Sequence, residues 1–166
     1  MRQQDPRVSH EVEEYLVGLN AAAGELGGRI GASVGGRLAG VPGAGGAGGA
    51  RGGARGGARG ARMLKTVVEE RGGVVVGTAQ DVLARVAAAF PQARELAREA
   101  DLIRIAVPLG RTGLQHIVVD LVLGPPADTA DPPGTQVRLS AYGKEGLLSR
   151  KPTASTAEKV WAAVAS

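Results

Sequence analysis

Seventeen of the 39 residues between Gly24 and Arg62 are glycine, a composition that no ordinary packed core can use. Eight of the other 22 are alanine, and the charges are six arginines against one glutamate, Glu25. Such a stretch buries too little apolar surface to offset the entropy lost on ordering it. The tract therefore divides the chain into a short N-terminal segment, 1–23, a flexible tether, 24–62, and a C-terminal part, 63–166, of a size usual for one domain. The formal net charge of +4 is spread unevenly over these parts, as −2, +5 and +1. The C-terminal part is nearly neutral, so attraction for polyanions must come from the tract.

Absence of cysteine removes disulfides, thiolate metal sites and a cysteine nucleophile. Acidic residues interrupt the first 14 positions, MRQQDPRVSHEVEE, where an export signal needs an apolar run, so a cytoplasmic location is expected. The uncharged runs are too short or too glycine-rich to supply the roughly 20 apolar residues of a spanning helix.

Ser9 suits the N-cap of a helix over 10–23, with Glu11, Glu13 and Glu14 in its first turns where the helix dipole favours negative charge. Val12, Leu16, Leu19, Ala23 and Leu26 recur at steps of four and three, the stripe of one helical face. Val12, Leu16, Leu19 and Leu26 are the candidate interface, either with the chain's own C-terminal domain or with a second copy. Beyond Ala23 the glycines at 27, 31 and 35 keep a four-residue step that resembles GxxxG helix packing. Seven glycines between 24 and 40 oppose an isolated helix by about 7 kcal/mol, so flexible coil is expected there.

Arg51, Arg55 and Arg59 repeat every four residues and Arg62 closes the series. The Arg51-Gly52-Gly53 and Arg55-Gly56-Gly57 units resemble the RGG boxes of RNA-binding proteins. That resemblance implies nonspecific nucleic-acid contact by the four arginines. No aromatic residue lies between Tyr15 and Phe90 to stack on bases, so what remains is a linker whose arginines provide solubility or, as the alternative, phosphate contact.

The C-terminal part reads β-α-β-β-β-α, an α+β fold whose small antiparallel sheet carries helices on one face. Val74–Val76 is a short strand broken from Met63–Glu70 by Gly72-Gly73, and Thr78 with Asp81 has capping-box spacing for the next helix. Residues 92–100, QARELAREA, are strong helix formers. Leu102–Leu109, Leu114–Leu123 and Thr135–Tyr142 alternate with period two as half-buried strands. Gly124–Gly134 is a loop, Gly143–Gly146 a turn, and Ser155 with Glu158 caps the closing helix.

With those strand phases, Arg104, His116, Asp120 and Arg138 share the sheet's outer face. They form either a solvated face with cross-strand ion pairs or an anion patch made of Arg104, His116 and Arg138. His116 and Asp120 are four residues and roughly 13 Å apart, too far for a dyad. The glycine repeats have neither a preceding strand nor a following Gly-Lys-Ser/Thr, so they make no phosphate loop. No catalytic residues, metal ligands or cofactor are assigned. Strand, helix, strands and closing helix resemble a shortened helix-grip domain of the START or polyketide-cyclase kind, which implies binding of a small apolar ligand between sheet and helix. The expectation is a non-enzymatic interaction protein with a protein partner or self-association, nonspecific nucleic-acid binding and small-ligand binding being the alternatives.

Overall fold

The computed structural model describes residues 7–38, 46–110, 113–127, 134–145 and 151–166. The fold is α+β, with a five-stranded antiparallel sheet. In chain order the elements are α1 (His10–Leu38), α2 (Gly46–Met63), β1 (Lys65–Val76), α3 (Ala79–Ala89), β2 (Arg94–Arg98), β3 (Leu102–Leu109), β4 (Gln115–Ala127), β5 (Gly134–Glu145) and α4 (Pro152–Ala165). The strand order is β1-β5-β4-β3-β2, so the first strand closes against the last.

Period-two alternation places Ile117, Val119 and Leu121 of β4 and Val137, Leu139 and Ala141 of β5 on one face, all fully buried. Val82 and Val86 of α3 and Ala157, Val160 and Val164 of α4 pack against them. Thr78 caps α3 in a complete capping box with Asp81.

Several sequence expectations are corrected. QARELAREA is not a helix: its middle is β2, which pairs with β3 through a bulge between Glu95 and Ala97. The unpaired edge of β3 gave those residues ladder partners that local helix propensity could not outweigh. Gly72-Gly73 does not break β1, which pairs with β5 from Lys65 to Val76. Trp161 packs over Gly73, its nearest ring atom 3.5 Å from where a Cβ would stand, an ordinary contact distance. The expected turn at Gly143 is strand instead. Gly143 is needed because a Cβ there would stand 2.6 Å from Ile117 Cδ1 and collide with Thr153. β4 runs on to Ala127, into the expected loop, whose residues 128–133 lie outside the described set, as do 146–150. Helix α4 starts at Pro152 rather than at Ser155. Proline suits a first turn, where a missing N–H loses no hydrogen bond, and Glu145 accepts from the Thr153 N–H at 3.0 Å.

The larger correction concerns the tract. The expected tether is helical over most of its length: α1 continues to Leu38, and Gly46–Met63 is a second helix packed antiparallel to it. Residues 39–45 lie outside the described set. At 100° per residue, Val12, Leu16, Leu19, Leu26 and Ile30 fall on one side of α1, and Asn20, Gly24, Gly28 and Ala32 on the other. The first side meets the sheet: Val12 and Leu16 are buried with Val68, Val118 and Tyr142 on the face opposite α3 and α4. The second meets α2. Gly53 sits between Gly24 and Gly28, Gly49 beside Gly28 and Ala32, and Gly57 beside Asn20 and Gly24.

These contacts are backbone to backbone. A Cβ on Gly53 would overlap the Gly24 carbonyl oxygen and lie 2.9 Å from its carbon; one on Gly49 would stand 2.6 Å from the Ala32 Cβ. The glycines that destabilise each helix alone are what let the pair approach, but those in contact are Gly24 and Gly28 with Gly49, Gly53 and Gly57, whereas Gly27 and Gly31 of the expected four-residue step meet nothing within 4 Å. The layers run α3 and α4, sheet, α1, α2. Since α1 is about 43 Å long at 1.5 Å per residue, its second half overhangs the sheet, leaving Leu26 48% and Ile30 54% exposed.

Candidate functional site

Two polar ensembles stand out. The first lies between α1 and the sheet. Arg104 on β3 and Asp120 on β4 face each other in register and form a bidentate pair, Nε to Oδ1 at 2.7 Å and Nη2 to Oδ2 at 2.8 Å. Glu11 of α1 closes on the remaining Nη1 at 2.8 Å, and the guanidinium carbon stands 5.7 Å from the Tyr15 ring centre. The Asp120 hydrogen bonds raise the Arg104 pKa above its ordinary value, so its charge is permanent. Two residues along, Glu13 accepts from Lys144 Nζ through Oε1 and from Thr66 Oγ1 through Oε2, the latter at 2.8 Å. Lys144 and Thr66 are both buried. The acids that suit the helix dipole are also the counter-ions of the sheet.

The expected anion patch is not assembled. Arg104 is buried and already paired; Arg138 on β5 pairs with Val122, one row from Asp120 and two strands from Arg104, and is exposed. His116 lies four residues from Asp120 on the same strand, half-buried, its Nδ1 without a hydrogen-bond partner among the described residues. Burial lowers the His116 pKa below 6.5, with the Leu114 backbone acting in the opposite sense. A histidine whose folded pKa is depressed binds its proton more readily when unfolded. Its neutral form therefore supports the fold fully above about pH 6.5, and that support is lost as pH falls from there towards the folded pKa. Urea midpoints measured from pH 8 to 5 should decline over that window, and His116→Gln should flatten the decline. An unchanged slope in the variant would refute this role.

The second ensemble is the outer surface of α2. Arg51, Arg55, Arg59 and Arg62 fall within an arc of about 80° at 100° per residue, centred opposite the glycines that meet α1. All four are exposed and make no ion pair among the described residues. Gly48 just before the row, and Gly52, Gly56 and Gly60 between its arginines in sequence, have nothing within 4 Å of where a Cβ would be. Their charge equals the formal excess of the whole chain, +4, so the remainder is neutral. Period four showed the row in the sequence, but a helix was needed to make it one-sided.

Of the candidate helix interface, Val12 and Leu16 are buried on the sheet, Leu19 packs partly there, and Leu26 overhangs it. An open groove of about 520 Å³ runs between α1 and β2, bordered by Glu11, Glu14, Tyr15, Leu19, Arg94 and Leu96. Among the described residues no three His, Cys, Asp or Glu side chains are grouped to hold a metal ion, and no helix is long and apolar enough to cross a membrane. Glu11, Glu13, Thr66 and Lys144 were not singled out as a site from sequence; the only signal was that acids at 11 and 13 coincide with an outer face carrying Arg104. Comparison with protein-family models, curated proteins and solved structures finds no match.

Proposed function

We propose that the chain is a non-enzymatic interaction protein, an α+β platform that displays a basic helical hairpin, and that the hairpin's ligand is nucleic acid held through its phosphates by Arg51, Arg55, Arg59 and Arg62. The observation that carries this reading is the one-sided row itself: four exposed guanidinium groups with no ion-pair partner among the described residues, on a helix whose other face is locked to α1. Charge supplied this way neutralises phosphates and releases counter-ions, giving affinity without sequence preference. The apolar stripe that could have served self-association is largely spent on the chain's own sheet.

Fluorescence anisotropy with a labelled mixed-sequence oligonucleotide at 50 mM salt tests it. Binding should be tighter there than the dissociation constant of about 10⁻⁴ to 10⁻⁶ M typical of nonspecific complexes at physiological salt. It should fall at least tenfold when all four arginines become glutamine, a change that keeps long side chains and helix propensity. No binding at 50 mM salt, or binding indifferent to the four substitutions, would remove the proposal.

A further inference from the structure

Resting on that reading, we infer that the nucleic acid suited to α2 is double-stranded and is contacted along its backbone rather than read at its bases. Three features carry the inference. First, the row is rigid. Arg51, Arg55, Arg59 and Arg62 rise by about 6, 6 and 4.5 Å along one helix axis, and α2 cannot bend away from α1 while Gly49, Gly53 and Gly57 are in backbone contact. A stiff row of cations meets a stiff row of phosphates without ordering its ligand, and a duplex, straight over about 150 base pairs, presents one. The row's length, about 16.5 Å, spans roughly five base-pair steps of 3.4 Å.

Second, the surface lacks what single strands use. Bases of a single strand are held mainly by stacking on aromatic rings, and α2 has none: Tyr15 of α1 is the last aromatic before Phe90 and is turned to Arg104 and to the Leu96 carbonyl. Beyond its arginines, α2 carries no Asn, Gln, Asp, Glu, Ser or Thr to discriminate base edges. The glycines between the arginines leave bare helix there, so a backbone can lie close along the row.

Third, the geometry disfavours an anionic lipid surface, the other common polyanion. The exposed apolar residues Leu26 and Ile30 lie on the side of α1 away from α2, so they and the arginine row point in opposite directions and cannot meet one flat surface together.

The full-length chain is titrated with a labelled 20-base-pair duplex, with oligo-dT of 20 nucleotides and with vesicles containing 30% phosphatidylserine, each from 50 to 200 mM salt. The duplex should bind at least fivefold more tightly than oligo-dT. Its log-log salt slope should lie near −3.6, as four contacts at about 0.9 each require, against about −2.8 for a single strand. Duplexes of different sequence should bind alike, and the four arginine-to-glutamine substitutions should bring the slope towards zero. Oligo-dT binding as tightly as duplex, still dependent on the four arginines, would overturn the inference while leaving the phosphate-binding reading intact. Vesicle binding with neither nucleic acid bound would overturn both.

Discussion

Gly53→Ala is expected to loosen the hairpin and Gly52→Ala to tighten it, although the two changes are chemically identical and adjacent. A methyl at Gly52 meets nothing within 4 Å and replaces the poorest ordinary helix former with the best, a gain of up to about 1 kcal/mol. A methyl at Gly53 overlaps the Gly24 carbonyl. Neither partner can yield by rotating a side chain, because both are backbone, so the helix axes must part along the contact line. Overpacking of this kind costs about 1–3 kcal/mol at ordinary core sites, and little else holds α2. Its eight glycines disfavour it alone by about 8 kcal/mol, so once separated from α1 it should melt. Hydrogen exchange of amides 46–63 should be fast in Gly53→Ala and slower than native in Gly52→Ala, with helical ellipticity moving the same way. Equal effects from the two substitutions would refute the backbone-contact hairpin.

Asp120→Ala is expected to cost roughly 3–5 kcal/mol, since it leaves the Arg104 guanidinium buried with one remaining carboxylate. Glu11→Ala should cost under about 1 kcal/mol: its side chain is 57% exposed, and solvent screens such a contact. The double change Arg104→Met with Asp120→Leu should recover most of the loss, because a buried ion pair replaced by apolar groups of similar volume is often near neutral. Denaturant midpoints of the four proteins decide it. If Asp120→Ala and the double variant are equally unstable, packing rather than the unpaired charge sets the cost.

The sheet was legible because a strand with one buried face writes that face into every second residue. Ile103, Ile105 and Val107, and likewise Ile117, Val119 and Leu121, announced both their strands and their inward side. The same phase placed Arg104 and Asp120 together on the outer face. It could not show that Glu11, more than 90 positions from either, would join them. β2 was misread because its residues prefer helix and only the open edge of β3 made them a strand.

The Gly/Ala/Arg tract divides the two kinds of knowledge most clearly. By itself the sequence determined the α+β class, the charge excess and its four-residue arginine period, all consequences of local composition and spacing. Whether that period lay along a coil or a helix was decided only by the tertiary structure, since glycine at every fourth residue weakens one helix and permits two to touch. Local propensity counts the first effect and is blind to the second, which exists only when α1, anchored by Val12 and Leu16 on the sheet, is there to receive α2.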